Sequence, residues 1–204
     1  MFPHVVAFKD RDLILLGSRE PIHFSFSRME ALFELAPIWE SLARAFIKYP
    51  ADLLVRLSLD ARGAAQIAED GRPNTDDNML IELAEPRSLY QNHLEAIRER
   101  LAEHSASVIE MVRDYRSESA LRFELAASWF TSGQNADALA ECRRSLELEE
   151  SFDGFKLLGQ ILQRDGDLGG ARIAWDRALS LGDDPAGRNF VAALLRALLA
   201  PVQS

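Results

Sequence analysis

Between Ser119 and Gly182 one helix-turn-helix pattern is written twice, and this constrains the C-terminal half more than any other feature of the chain. With Gly133 aligned on Gly166, 33 residues later, Leu125-Ala126 falls on Leu158-Gly159, Trp129 on Leu162, Ala138 on Ala171 and Cys142 on Trp175. Ser145-Leu146 then falls on Ala178-Leu179, and Leu148 on Leu181. Small residues at matched places let two helices approach closely, large ones fill the space between them, and the glycine ends the first helix of each pair. The pattern predicts a helical solenoid.

Leu158-Gly159, Ala171, Trp175 and Ala178 resemble the tetratricopeptide repeat, with its period of about 34 residues and its Leu-Gly followed by an alanine and a bulky apolar residue. The first copy departs at three places, with Ala126 for glycine, Cys142 for the bulky aromatic and Glu150 where proline is usual. In the resembled family the first helix of each pair lines a concave surface. The resemblance therefore assigns Phe123, Ala127, Phe130 and Thr131 to that surface from the first copy, and Lys156, Gln160, Gln163 and Arg164 from the second. Apolar anchors beside cationic and amide donors suit a short peptide with a hydrophobic residue next to a carboxylate or an acidic side chain. Chaperone-binding members hold a C-terminal carboxylate with a lysine and asparagines, and Phe123 and Ala127 replace two of these, which disfavours that ligand. The alternative is that the two repeats only pack against the rest of the protein.

A formal net charge of −9, from 32 acidic and 23 basic residues, argues against broad attraction to nucleic acid or anionic lipid. No apolar run reaches the roughly 20 residues that span a bilayer. Cys142 is the only cysteine, so it has no internal disulfide partner. It sits on the face that the repeat register buries and reads as a core thiol. A reducing, cytoplasmic setting suits it. His4, His23, His93 and His104 are scattered without metal-ligand spacing, so no metal is expected.

Near the N-terminus the apolar runs His4 to Phe8 and Leu13 to Leu16 predict a β-hairpin. Ser27, with Glu30 three residues on, reads as the N-cap of a helix through Phe46 that Pro37 kinks or splits. Ala51 to Leu59 and Gly63 to Glu69 read as further helices, and Met79 to Leu83 as a third strand completing an antiparallel sheet. One edge of that sheet would stay open to a second copy or an upstream partner, and Val6 reads as an outward position on it. Leu89 to Arg116 is predicted as a connecting helix. Pro185 to Ala200 carries Phe190, Val191, Leu194, Leu195, Leu198 and Leu199 on one stripe. It reads as a capping helix, with a homodimer contact as the alternative.

Residues 1 to about 90 carry a second resemblance. Phe2-Pro3-His4-Val5, Asp12-Leu13-Ile14-Leu15-Leu16-Gly17-Ser18, Asn74-Thr75-Asp76-Asp77, Leu80-Ile81-Glu82 and Pro86-Arg87 resemble the C-terminal end of spermidine-synthase-like proteins. The resemblance implies an accessory portion of an aminopropyltransferase or methyltransferase-like enzyme, whose catalytic sheet would lie upstream or in another chain. Some members of that family carry membrane spans. The chain has no Gly-x-Gly-x-x-Gly loop, so no catalytic residue and no cofactor is assigned and the chain alone is not expected to be an enzyme. Asp76 and Asp77 form a carboxylate pair able to face an amine or a cation, although Asx-rich turns before strands also occur for structural reasons. The resulting expectation is a mainly α chain with a small α+β part at residues 1–88 and a helical repeat domain at 89–204. A short antiparallel sheet and tetratricopeptide-like repeats are its components, and protein interaction its role.

Overall fold

A computed structural model describes residues 2–9, 13–69, 99, 101, 103–182 and 185–199. In chain order come β1 (His4–Lys9), β2 (Leu13–Ser18), β3 (Phe24–Ser25), α1 (Phe26–Phe33), α2 (Ala36–Ala43), α3 (Pro50–Leu54), β4 (Leu57–Leu59) and α4 (Ala61–Ala68). After these follow α5 (Val108–Met111), β5 (Val112–Arg113), α6 (Glu118–Thr131), α7 (Asn135–Leu148), α8 (Phe152–Arg164), α9 (Leu168–Leu181) and α10 (Pro185–Leu199). The architecture is mainly α, with a small antiparallel sheet toward the N-terminus. Two compact units form, Met1–Phe24 with Arg56–Arg113, and Ser25–Val55 with Asp114–Ser204. The division expected near residue 88 lies outside the described residues.

In the first unit the hairpin pairs as expected, with Val6 opposite Leu16 and Phe8 opposite Ile14. The third strand is a different one. β4 joins the far side of β1, giving the order β2-β1-β4, and the pairing is antiparallel. Met79–Leu83 lies outside the described residues. The expected helix from Ala51 to Leu59 instead stops at Leu54, because the edge of β1 supplies backbone partners that a continued helix could not use. The Lys9 amide donates to the Arg56 carbonyl (2.7 Å), the Ser58 hydroxyl to the Ala7 carbonyl (3.1 Å), and Leu57 and Leu59 are buried. Val6 accordingly lies fully buried in the central strand and is not an outward edge position. α4 packs on β1 and β4. It starts at Ala61, two residues before the expected Gly63, because the Asp60 carboxylate accepts from the Gly63 amide (2.7 Å). Gly63 is required for a close approach, since a Cβ there would lie 2.3 Å from the His104 carbonyl oxygen.

In the second unit the expected helix from Ser27 to Phe46 is split near Pro37, one of the two outcomes expected, into α1 and α2. Ser25, not Ser27, caps α1, its hydroxyl accepting from the Arg28 amide (3.3 Å), which lets Phe26 be buried in the first turn. Pro37 stands in the first turn of α2, where a missing N–H costs nothing, so it starts a helix rather than kinking one. The expected connecting helix does not reach Arg116. Among its described residues it is broken: residues 104–107 are not helical, α5 covers only Val108–Met111, and β5 follows, all in the first unit, before Asp114 takes a left-handed conformation (φ 59°) and Ser117 caps α6.

The repeats then follow in full register. Both glycines have positive φ, 82° at Gly133 and 84° at Gly166. Each closes its helix with the same bond pair. Gln134 donates to the Trp129 carbonyl (2.9 Å) and Gly133 to Phe130 (3.1 Å), while Asp167 donates to Leu162 (2.9 Å) and Gly166 to Gln163 (3.1 Å). This is a Schellman motif written twice, 33 residues apart. α6 packs on α7, α8 on α9, and α7 on α8, around Ala126, Ala138, Cys142, Leu157 and Ile161. A second cluster of Leu162, Ala171, Ala174, Trp175 and Val191 continues the core into α10.

The register runs beyond the two copies recognised in the sequence. A further step of 33 places Gly187, Val191, Ala192 and Leu195 on Gly154, Leu158, Gly159 and Leu162, so α10 stands in the register of a first helix. Val191 is fully buried and Leu194 and Leu195 pack with it, whereas Phe190, expected on the same stripe, is 49% exposed. The side chains of Leu198 and Leu199 lie outside the described residues. At the other end, α3 packs on α6, and Leu121, Leu125 and Ser128 of α6 are buried. These occupy the register positions of Gly154, Leu158 and Ile161, the face of α8 that receives α7. Asp52 of α3 fixes the contact, accepting from the Ser128 hydroxyl (2.7 Å) and from the amides of Lys48 (2.9 Å) and Tyr49 (3.0 Å).

Gly159 meets Trp175 so closely that a Cβ would lie 2.2 Å from the indole nitrogen. Gly159→Ala is expected to cost about 1 to 3 kcal/mol. It should cost much less where Trp175 is already replaced by cysteine, because Ala126 with Cys142 is that combination in the first repeat. Denaturant unfolding of the four chains of this cycle measures the coupling, and additive effects would remove the crossing from the explanation.

Candidate peptide-binding face

The residues assigned to the concave face lie on α6 and α8. On α6, Phe123, Ala127 and Phe130 are half-buried and pack against the cluster that contains Leu157 of α8, while Thr131 is exposed. On α8, Lys156 and Gln160 are half-buried, and Gln163 and Arg164 are exposed. The structure thus brings the apolar members of the first copy alongside the next first helix. The cations stand differently from the simple expectation.

Arg164 is held by the protein itself. Its guanidinium lies over the Phe130 ring at 3.6 Å from the centroid, donates to the Phe130 carbonyl (2.6 Å) and reaches Asn135 Oδ1 (3.2 Å). Asn135 in turn donates to Asp165 (2.7 Å). The set latches the end of α6 and the start of α7 to the end of α8, combining a cation–π contact with capping of a helix-terminal carbonyl. Lys156 pairs with Asp153 one turn earlier and lies 5.4 Å from the Phe152 ring centroid. Of the four polar side chains assigned on α8, only the amides of Gln160 and Gln163 have no side-chain hydrogen bond among the described residues. These four polar side chains therefore divide into two engaged cations and two open amides.

Glu124, between Phe123 and Leu125, was not assigned from the sequence. Burial raises its carboxyl above the usual carboxylate range, and the charge of Glu30 on α1 adds to the rise. Nothing in the local sequence signals this, because the partner is 94 residues away in the chain. Arg122 of the same helix is satisfied by Glu118 (2.6 Å) and Glu141 (2.8 Å) and ties α6 to α7. Cys142 is the core thiol expected. It is fully buried, its S–H donates to the Gly154 carbonyl (3.4 Å), and burial pushes it up to about 12 from 9.0.

Asp76 and Asp77 lie outside the described residues. Among the described residues no group of three or more histidine, cysteine, aspartate or glutamate side chains is placed to hold a metal. No helix among them is long and apolar enough to cross a membrane.

No family model matches the chain. Over 61 residues, 29% of this chain, it is 38% identical to a TPR repeat-containing protein of Pseudomonas aeruginosa. The match spans 58% of that relative's length. It agrees with the tetratricopeptide-type helical repeats described above.

Two measurements check these buried groups. A carboxyl raised in the fold contributes stability below its unfolded value, and that contribution is lost as pH rises through the raised value. Ionised Glu124 is therefore unfavourable at neutral pH. Glu124→Gln is expected to raise Tm at neutral pH, with the gain shrinking as Glu124 protonates in acid. A gain constant with pH would contradict the assignment. Cys142, raised likewise, is expected to resist thiol-alkylating reagents in the native chain and to react only on unfolding; labelling at native rates near those of a free thiol would place it at the surface.

Proposed function

We propose that the chain is a protein-interaction module that binds a peptide segment along the face formed by Phe123, Ala127, Phe130, Gln160 and Gln163. The observation that carries this reading is the pairing of a half-buried apolar strip on α6 with two open amides on the neighbouring α8. Glutamine amides offer both donors and acceptors, which matches the alternating N–H and C=O groups of a peptide backbone. The apolar strip accepts side chains. The similarity to a TPR repeat-containing protein supports the same class of role.

The engaged cations refine the ligand. Since Arg164 is committed to Phe130 and Asn135, and Lys156 to Asp153, an acidic side chain is not the main determinant of this site. The ligand is best described as an apolar residue flanked by accessible backbone. Peptides selected from a random library on the full chain test this directly. Replacing both glutamines by alanine should weaken the selected peptides roughly tenfold, two hydrogen bonds at about 0.5 to 1.5 kcal/mol each, without changing Tm. Peptides that bind the double variant as tightly as the original chain would show that they dock elsewhere.

A further inference from the structure

From the first unit's sheet we infer that β2 is a self-association edge, where a second copy of this chain pairs antiparallel with Leu13–Ser18 about a two-fold axis at Leu15. The inference is independent of the peptide-binding reading. It begins with the direction of the backbone groups. The Lys9 amide and the Ala7 carbonyl both point toward the β4 side, so strand alternation turns Val6 and Phe8 toward β2. Their partners Leu16 and Ile14 therefore spend their groups on β1, and the N–H and C=O groups of Leu13, Leu15 and Gly17 face outward. Among the described residues no backbone hydrogen bond reaches them from that side.

The burial of the two strands differs sharply. Val6 and Ala7 point to opposite faces of β1 and both are fully buried, so β1 is covered on both faces. On β2, Leu13, Ile14, Leu15 and Leu16 are 47%, 54%, 60% and 46% exposed. An unbroken aliphatic run is the composition of a strand buried on both faces, yet this one stands at the edge. Natural edge strands are usually protected by charge, proline or a bulge, and β2 contains no charged residue and no proline.

A second copy fits because the outward positions are symmetric. Antiparallel pairing about Leu15 sets Leu15 opposite its own copy and Leu13 opposite Gly17, so every outward-facing group from Leu13 to Gly17 finds a partner. It also sets Ile14 opposite Leu16. Apolar residues then meet across the whole contact and no like charges oppose each other. Such a contact is isologous and closes at two copies.

Sedimentation velocity on the full chain is expected to report a dimer at tens of micromolar. Leu15→Pro removes one outward N–H and leaves the ladder to β1 intact, and Leu15→Lys sets two charges across the axis. Both variants should halve the mass while far-UV circular dichroism stays unchanged, and Tm should stay unchanged when compared at concentrations where the original chain is itself monomeric. Should the proline variant fail to fold, hydrogen exchange on the original chain decides: protection of the Leu13, Leu15 and Gly17 amides should rise with chain concentration. A monomer at the highest concentration, protection independent of concentration, or a dimer that survives Leu15→Lys would each overturn the inference. Concentration-independent protection would mean that another segment of the same chain covers the edge.

Discussion

The close crossing of paired helices is the interaction on which the repeat stack depends. Two helices that meet through a residue without a side chain can bring a large ring into contact with backbone, and Trp175 against Gly159 does this. The indole N–H then finds the Lys156 carbonyl (3.2 Å), so the fully buried ring leaves no unsatisfied donor. In the first repeat Ala126 and Cys142, both fully buried, take the same two places. The two residues of each pair act together: in one repeat a large ring packs over a glycine, and in the other two small side chains fill the same places. This is why the first copy looks irregular when its positions are compared with a signature one at a time. It is regular when they are compared as contacts.

A stack of helix pairs leaves an uncovered face at each end, and α3 and α10 pack on these faces. The face of α6 made by Leu121, Leu125 and Ser128 is equivalent to the face of α8 that receives α7, and α3 packs on α6. α3 is only five residues long, too short to be a stable helix by itself, so its stability comes from packing and from Asp52. That carboxylate accepts three hydrogen bonds, two from the amides that start its own helix and one from α6. At the other end α10 repeats the spacing of α8 and presents Val191, Leu194 and Leu195 to α9.

How much of this could be read from residues alone follows from how local each signal is. The two repeats were legible because glycine at a left-handed helix end and small residues at a crossing leave marks at fixed spacing. The hairpin was legible from two apolar runs and a polar turn. The third strand was not, since Leu53, Leu54 and Leu57 have helical spacing and only the open edge of β1 turns Leu57 into a strand residue. The repeat register of α10 is not legible, because alanine stands in place of glycine at residue 192 and the apolar stripe runs through Phe190, which is exposed. On the candidate face, the apolar positions were legible from the register. The engagement of Arg164 by Phe130 and Asn135 was not, because it joins residues 34 and 29 apart through side-chain geometry. The residues that would carry the spermidine-synthase-like resemblance furthest, Asn74 to Arg87, lie outside the described residues.

The latch also bears on what a peptide-binding face of this kind can select. A cation stacked on an aromatic ring at 3.6 Å, with two further acceptors, is already partly desolvated and electrostatically satisfied. Drawing it toward an acidic ligand would break those contacts before any new one formed, so the ligand would gain only the difference. The stacked guanidinium also covers one face of Phe130, which leaves the ring a more rigid wall for an apolar side chain. With the chain at a net charge of −9, long-range attraction favours cationic partners rather than anionic ones. On the proposed reading, charge therefore governs the approach of a partner, and the apolar strip with its two open amides governs which segment stays bound.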